Sequence, residues 1–187
     1  MSGLPASAWR TWVQFRLQAA RSTVVRLRLL RRDVYIGEGT RIPGGGELAF
    51  APGSSVQRLG VLNARRGAVI RLGTRSRIGA FSVISAAQLI DIAEDVLIAD
   101  RVFITDHQHE SGDPTRPVIA QGVSSTDPVR IGAGCWIGIG VCLMPGVQLG
   151  PGCIVGAGSV VTRSFPRASI IGGIPARLIR QRFDHDK

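Results

Sequence analysis

The most constraining feature of this chain is a repeat of six residues in its C-terminal third. From Ile131 the sequence reads IGAGCW, IGIGVC, LMPGVQ, LGPGCI, VGAGSV and VTRSFP. The first position is always a branched aliphatic residue, the second is glycine in four of the six hexads, and the fifth is small up to Ser159. A period of six fits neither a helix nor an ordinary strand. It predicts an all-β solenoid, in which the aliphatic residue points inward and glycine relieves crowding at a corner.

The hexads recur upstream with breaks in their spacing. They begin at Ile36, Ile42, Leu72, Ile78, Ile84, Ile92, Ile98 and Ile104. Between Leu48 and Arg71 the pattern fits poorly, which predicts irregular coils there. The repeat domain is therefore expected over residues 34–174.

This pattern resembles that of the hexapeptide-repeat proteins, whose chain winds a left-handed parallel β-helix with three hexads, about 18 residues, in each coil. The resemblance implies the handedness and the triangular section of the solenoid. It also implies that Cys135 and Cys153 lie directly above one another. We expect both to be small buried residues of the core.

Three segments fall outside the repeat. Residues 1–33 are predicted to form a basic amphipathic N-terminal helix. Residues 110–127 carry no hexads and form a long loop, and such a loop in a solenoid is usually functional or disordered. Residues 175–187 are predicted to form a short basic C-terminal helix, begun by Pro175, and a tail.

The N-terminal segment has two interpretations. Within residues 6–32 an apolar stripe, interrupted by Arg16, would lie on one helix face: Trp9, Val13, Leu17, Ala20, Val24 and Leu27. Such a helix could cap the open end of the first coil, which solenoids need. It could instead rest on an anionic membrane surface through its arginines.

Charge and cysteine content limit the partners and the compartment. The segment 1–32 holds seven arginines and no acidic residue, whereas the rest of the chain holds the other 16 of the 23 cationic residues and all 13 acidic ones. Most of the net charge of +10 therefore belongs to the N-terminal segment, which argues against a nucleic-acid-binding body. Three cysteines without a CxxC pair favour a reduced cytoplasmic protein, peripheral at the inner membrane face if the N-terminal helix binds lipid. The arginine-rich start also leaves an organelle transit peptide open.

The candidate chemistry lies just before the loop, in the segment Asp106-His107-Gln108-His109-Glu110. Two histidines flanked by acidic residues, at the point where a solenoid is interrupted, favour a catalytic or ligating role over a structural one. The third histidine, His185, lies near the C-terminus and is expected to be solvated. The chain has no nucleophile elbow and no phosphate-binding loop motif.

ITDHQH, PVRIGAGCWIGIG, VGAGSVVTR and GGIPARLIR together resemble the hexapeptide acetyltransferases, in the branch of maltose, galactoside and polysaccharide-biosynthesis O-acetyltransferases. The resemblance covers about residues 34–182 and implies a homotrimer with active sites between subunits. It implies transfer of an acetyl group from acetyl-CoA to a sugar hydroxyl, with a histidine as general base. His109 holds the family position of that base, and His107 is the alternative. Asp106 or Glu110 is expected to orient the ring.

The remaining site residues come from the same resemblance. Trp136 matches the tryptophan that lines the acceptor site, and Ser85, with Ser82 as the other candidate, and Gln121 are further expected acceptor contacts. The expected contacts of acetyl-CoA are Ile139, Ala157, Thr162, Arg163, Arg177 and Arg180. At the first of these the family often carries a serine, so a side-chain hydrogen bond there is in doubt. The arginines suit phosphate groups, which a guanidinium can bind in a bidentate manner.

Two other functions compete with this prediction. One is a γ-class carbonic anhydrase, a β-helix with three zinc-binding histidines, although this chain offers no third histidine within the repeat. The other is a β-helix scaffold without catalysis, held by its basic N-terminal segment. We expect no metal cofactor and no nucleic-acid partner, and the identity of the acceptor stays open.

Overall fold

The computed structural model describes residues 33–124 and 126–183. Within these ranges the chain forms a parallel β-solenoid with three sheets, named A, B and C here, whose strands are numbered in chain order. Sheet A contains β2 (Glu47–Phe50), β5 (Val69–Leu72), β8 (Leu89–Ile92), β11 (Val129–Ile131) and β14 (Gln148–Leu149). Sheet B contains β1 (Tyr35–Ile36), β3 (Ser55–Val56), β6 (Arg77–Ile78), β9 (Leu97–Ile98), β12 (Trp136–Ile137), β15 (Ile154–Val155), β17 (Ser169–Gly173) and β18 (Ala176–Gln181). Sheet C contains β4 (Val61–Ala64), β7 (Val83–Ala86), β10 (Phe103–Thr105), β13 (Cys142–Leu143) and β16 (Val160–Val161). Each full coil passes through sheets B, C and A in turn, and each corner is named by the two sheets that it joins.

The interior of the solenoid is lined by the hexad positions that the sequence assigned to it. The first-position residues Ile131, Ile137, Leu143, Leu149 and Val155 are at most 3% exposed. The fifth-position residues, from Cys135 to Ser159, are buried beside them. Each buried methylene contributes about 0.8 kcal/mol. The aliphatic column therefore holds the coils together, and the inward orientation is confirmed.

Glycine occupies two positions of the hexad, and the physical reason differs between them. At the second position the next coil passes too closely for a side chain: a Cβ on Gly138 would lie 2.7 Å from the backbone nitrogen of Ala157. At the fourth position the backbone turns through the left-handed region, with φ of 66° at Gly134 and 69° at Gly140. Glycine adopts this conformation without steric cost.

The coils differ in length along the solenoid. Near the C-terminal end Trp136 pairs with Ile154, which is the predicted spacing of three hexads. Nearer the N-terminus Ser55 pairs with Arg77, and this coil is longer because the strands of sheets A and C there have four residues each. The prediction of irregular coils between Leu48 and Arg71 is wrong, since β2 and β5 pair over their full length. These longer strands put two inward residues on one side of the coil, which shifts the hexad spacing.

Cys135 and Cys153 lie in adjacent coils, as predicted. The backbone N–H of Trp136 donates to the carbonyl of Cys153 at 2.9 Å, and both thiols are buried. The Cys135 thiol donates to the Gly150 carbonyl and the Cys153 thiol to the Pro166 carbonyl. The contact with Cys153 and burial raise the pKa of Cys135. Both side chains therefore serve as small residues of the core.

The predicted C-terminal helix is wrong. Residues 176–181 form β18, which pairs antiparallel with β17 and closes sheet B. After the last coil the edge of β17 would otherwise expose unpaired backbone groups, and a returning strand covers them. The predicted N-terminal helix over residues 6–32 lies outside the described residues.

Candidate active site

The carboxylate of Asp106 anchors the start of the long loop at the C–A corner. It is fully buried, and it accepts hydrogen bonds of 2.7 Å from the backbone N–H groups of Ala87, Gln88 and Leu89. Burial acts to raise the pKa of Asp106, but these N–H groups and the ring of His107 outweigh it and lower the pKa. The charged carboxylate therefore clamps the turn between β7 and β8.

His107 is held against that carboxylate. Its Nδ1 lies 2.9 Å from Oδ1 of Asp106 and 3.2 Å from Oγ1 of Thr105, and its side chain is 12% exposed. A carboxylate only accepts, so Nδ1 carries a proton. The neutral ring then has its lone pair on Nε2, which suits a base.

His109 lies on the exposed side of the loop. Residue 109 forms an antiparallel bridge with Val123, and the ring Nδ1 lies 3.1 Å from the carbonyl oxygen of Gly122. Because a carbonyl also only accepts, Nδ1 is the protonated nitrogen and Nε2 is the acceptor. His109 is exposed whereas His107 is largely covered, so a bound acceptor reaches His109 more easily.

The loop between β10 and β11 is ordered by its own backbone hydrogen bonds. Residues 106–110 pair antiparallel with residues 122–124 and with Asp127 at its base, with bonds such as Ser124 N–H to the Gln108 carbonyl at 2.8 Å. A short 3₁₀ helix, Val118–Ala120, forms its tip, where Ile119 is 87% exposed. The pairing at the base fixes the position of both histidines.

Gln121 holds the loop together from within. Its Nε2 donates to the carbonyls of Asp113 and Arg116, each at 2.8 Å, and its Oε1 accepts from the Asp113 N–H at 3.0 Å. The amide is thus engaged inside the loop. Both amide hydrogens are therefore used within the loop, and only the second lone pair of Oε1 is left for another contact.

A polar row on sheet C leads to the histidines. Asn63 on β4, Ser85 on β7 and Thr105 on β10 are paired in register, and Asn63 Nδ2 donates to Ser85 Oγ at 3.4 Å. The structure therefore places Ser85 beside Thr105, two positions before His107, as an acceptor contact would require. Sequence reasoning missed Asn63, because its coil lies in the stretch where the hexads are shifted. Ser82 is instead buried at the B–C corner and donates to the Ala99 carbonyl.

Trp136 is not brought together with the histidines within one chain. It begins β12 on sheet B and is 50% exposed, next to Leu97 of the coil before. The histidines follow sheet C at the C–A corner, so the body of the solenoid lies between them. Trp136 can meet a histidine only if two chains lie side by side.

The residues expected to bind the coenzyme lie in three places. Ile139 and Ala157 occupy stacked turns of the B–C corner, where the Gly158 N–H donates to the Ile139 carbonyl at 2.8 Å. Arg177 is the second residue of β18, beside the hairpin that lies over this corner, and Arg180 is further along the same strand. Thr162 and Arg163 are exposed at the C–A corner, the same corner as His109 but two coils on. At about 4.8 Å between strands, two coils correspond to roughly 10 Å along the axis.

The cations among these residues are available for phosphate. The guanidinium of Arg163 lies 5.1 Å from the ring centre of Phe165. Arg177 and Arg180 donate to main-chain carbonyls. Among the described residues, none of the three forms an ion pair with a carboxylate.

The described residues offer neither a metal centre nor a membrane-spanning helix. Within residues 33–124 and 126–183, no three His, Cys, Asp or Glu side chains converge as a metal site would require. The same part of the chain contains no helix of sufficient length and apolarity to span a membrane. A groove along sheet A, lined by residues such as Arg130, Gln148 and Phe165, lies toward the A–B ends of the strands, away from the histidines.

Residues 128–163, which include β11 to β16, match the family of bacterial transferase hexapeptide proteins, described as six repeats. Within this range the chain carries the repeat of that transferase family. Its assignment to the branch of maltose, galactoside and polysaccharide enzymes stays a prediction.

Three similar proteins illustrate the likeness. The probable acetyltransferase Rv3034c of Mycobacterium tuberculosis is 33% identical over 77 residues, which are 41% of this chain and only 25% of that protein. VCA0836 of Vibrio cholerae O1 biovar eltor, a hexapeptide-repeat acetyltransferase solved with acetyl-CoA, is 25% identical with a TM-score of 0.60, over 98% of this chain and 93% of its own. AntD, an N-acyltransferase of Bacillus cereus solved with dTDP and 3-hydroxybutyryl-CoA, is 23% identical with a TM-score of 0.68. The match covers 90% of this chain and 88% of AntD. This last likeness is one of fold.

Proposed function

We propose that this chain is an acetyl-CoA-dependent O-acetyltransferase that acts on a sugar hydroxyl. The observation that carries the proposal is the setting of His109. Its Nδ1 is fixed by the Gly122 carbonyl, its Nε2 is free, and it lies at the end of the hexad that precedes the loop. The relative from Vibrio cholerae, solved with acetyl-CoA over nearly the same length, supports the donor.

The chemistry asked of the protein is proton transfer and positioning. Nε2 of His109 takes the proton of the acceptor hydroxyl as the oxygen attacks the thioester carbonyl carbon of acetyl-CoA. The tetrahedral intermediate expels the CoA sulfur, which recovers the proton from the imidazolium. Histidine suits this role because an imidazole can both accept and return a proton near neutral pH.

The two stacked turns of the B–C corner and the exposed arginines support a coenzyme site at the C-terminal coils. Ile139 and Ala157 would line the pantetheine through their backbone, and Arg163, Arg177 and Arg180 would face phosphate groups. Thr162 lies beside Arg163 as a further polar contact.

We propose a homotrimer with shared active sites. Exposed apolar side chains on the outer face of sheet B support contact between copies: Leu97 and Trp136. A neighbouring chain would bring Trp136 of one subunit toward His109 of the next, which a single chain cannot do. The left-handed winding of the coils belongs to the same family prediction.

The test is an acceptor screen on the purified full chain. Free thiol released from acetyl-CoA would be followed with free sugars, nucleotide-linked sugars and lipid-linked sugars, and products would be checked by mass spectrometry for one added acetyl group. We expect turnover with at least one sugar, and an ester product that mild base cleaves. An amide product would show that the acceptor group is an amine and not a hydroxyl. Absence of both turnover and acetyl-CoA binding would favour the scaffold without catalysis.

The zinc-dependent alternative has no supporting set of ligands among the described residues, and His185 lies outside them. Cytoplasmic location and the contact of residues 1–32 with an anionic membrane stay predictions.

A further inference from the structure

The B–C corner carries unusual side chains in three successive coils. The stacked residues at this turn all have positive φ: Gly39, Leu59, Phe81, Arg101, Gly140 and Gly158. Glycine is favoured there, and other residues in such a conformation cost of order 1–3 kcal/mol each. Phe81 and Arg101, with φ of 58° and 57°, keep large side chains at this cost. Backbone strain of this kind is often found at functional sites.

Phe81 contacts one arginine from each of the two neighbouring coils. The guanidinium carbons of Arg58 and Arg101 lie 5.7 Å and 5.9 Å from the centre of its ring, which is within the range of a cation–π contact. The stacked backbone fixes this arrangement, since the Phe81 N–H donates to the Arg58 carbonyl at 3.2 Å. Phe81 is 44% exposed, so both cations face solvent across it.

At the A–B corner a strained arginine is paired with a carboxylate, unlike the arginines at the B–C corner. At the A–B corner Arg75 has the same backbone conformation, with φ of 59°, but its guanidinium binds the Asp95 carboxylate through two hydrogen bonds of 2.7 and 2.6 Å. Among the described residues, neither Arg58 nor Arg101 has a carboxylate at ion-pair distance. The nearby carboxylate of Asp100 instead accepts the Ala80 N–H at 2.8 Å. The pair of arginines therefore keeps its charge and its donors for another group.

This corner is connected to the histidines by the outer face of sheet C. Arg101 precedes β10, in which Phe103 is exposed and Thr105 is buried, and the hydroxyl of Thr105 donates to the carbonyl of His107 at 2.9 Å. Six residues at about 3.3 Å correspond to roughly 20 Å between the Arg101 and His107 backbones, and both side chains shorten this gap. Phe103, 37% exposed, lies midway as a flat apolar surface of the kind that a sugar ring packs against.

We infer that Arg58 and Arg101 bind the diphosphate of the acceptor, which is a sugar attached to a nucleoside diphosphate or a lipid diphosphate. The diphosphate lies at the B–C corner and the sugar across sheet C. Guanidinium groups bind phosphate oxygens through paired charge-assisted hydrogen bonds. The coenzyme candidates Ile139 and Ala157 lie further along this corner, toward the C-terminal end, so the two ligands occupy different coils. The inference rests on the proposed acetyl transfer and narrows its acceptor.

The test is calorimetric binding of inorganic pyrophosphate to the full chain with CoA at saturation, so that the coenzyme phosphate sites are filled. The variants are Arg58→Ala and Arg101→Gly, the latter relieving strain at its own turn. The matched control is Arg75→Gly, which removes the same charge at an equivalent turn. We expect pyrophosphate to bind the unmodified chain. Its affinity should be lower by about tenfold or more in each of the first two variants and should stay within about twofold in the control.

Uridine diphosphate and farnesyl diphosphate then distinguish a nucleoside diphosphate acceptor from a lipid diphosphate acceptor. The compound that resembles the true acceptor should bind more tightly than pyrophosphate. No pyrophosphate binding, equal losses in all three variants, or a loss of CoA affinity in Arg101→Gly would each overturn the inference. These outcomes are separable from failure of the proposed function. If the acetyl transfer is wrong, no acceptor turns over, although pyrophosphate binding can persist. If only this inference is wrong, a free sugar is acetylated equally by all variants.

Discussion

Replacement of Asp106 by asparagine tests the loop anchor and the choice of histidine together. Oδ2 of the carboxylate accepts from Gln88 and Leu89, and Oδ1 accepts from Ala87 and from the ring of His107. An asparagine keeps one oxygen, so its amide nitrogen must face one of these two sides. With the oxygen toward Gln88 and Leu89, the buried N–H of Ala87 is left without an acceptor.

The expected loss of stability follows from the hydrogen bonds that the Asp106 carboxylate accepts. An orphaned buried N–H costs about 1–3 kcal/mol, and turning two charge-assisted hydrogen bonds into neutral ones costs about 1 kcal/mol each. We therefore expect Asp106→Asn to loosen the turn at residues 87–89 by about 3–5 kcal/mol. Since a factor of ten corresponds to about 1.4 kcal/mol, amide hydrogen exchange there should quicken by a hundredfold or more.

The pH dependence has a definite sign. The pKa of Asp106 is lowered in the folded chain, so its stabilisation is complete above the ordinary aspartate pKa of about 3.9 and is lost as the pH falls through the folded value. The difference between the unmodified chain and the variant should be full at pH 7 and shrink below about pH 4. Urea unfolding followed by tryptophan fluorescence over this range measures it.

The same variant reports on catalysis. An asparagine NH₂ facing Nδ1 of His107 would make that nitrogen an acceptor and put the proton on Nε2, which removes a base there. If His109 is the base, the chemical step should survive once the loop is folded. Asp95→Asn, an exposed carboxylate at another corner, is the control and should leave exchange at residues 87–89 unchanged. A change of less than tenfold at those amides in Asp106→Asn would refute the assignment of this carboxylate as the anchor.

Three further predictions follow from the site. His109→Ala should lower kcat by about 10²–10⁴ with acetyl-CoA affinity unchanged, and His107→Ala should cost less; the reverse order in steady-state kinetics would make His107 the base. Arg163→Ala and Arg177→Ala should each weaken acetyl-CoA binding about tenfold in calorimetry while kcat at saturation is kept, and unchanged affinity in both would place the coenzyme elsewhere. Removal of residues 1–32 should abolish sedimentation with anionic vesicles at low salt and leave activity on a soluble acceptor. Aggregation of the shortened chain would instead indicate a cap on the first coil.

The hexad pattern alone predicted the solenoid and its inward column, and the family resemblance added the stacking of Cys135 on Cys153. This was possible because each hexad is a local unit: a branched residue in the core and a glycine at a corner carry the same meaning in every coil. The segment that holds His107 and His109 could also be found from sequence, since it interrupts the repeat. Even the incorrect expectation of irregular coils has a local cause, because a four-residue strand such as β5 shifts the hexad spacing.

Only the tertiary structure determined which residues of different coils contact one another. The last residues pair as β18 because the neighbouring edge of β17 is open, and that edge exists only after the coils have stacked. The protonated nitrogen of His109 is fixed by the carbonyl of Gly122 on the far side of the loop, and Asn63 reaches Ser85 in the next coil. Arg58, Phe81 and Arg101 form one cationic corner because coils of unequal length still bring their turns into line. Contacts between coils depend on the length of every coil between them, and the local pattern does not contain that length.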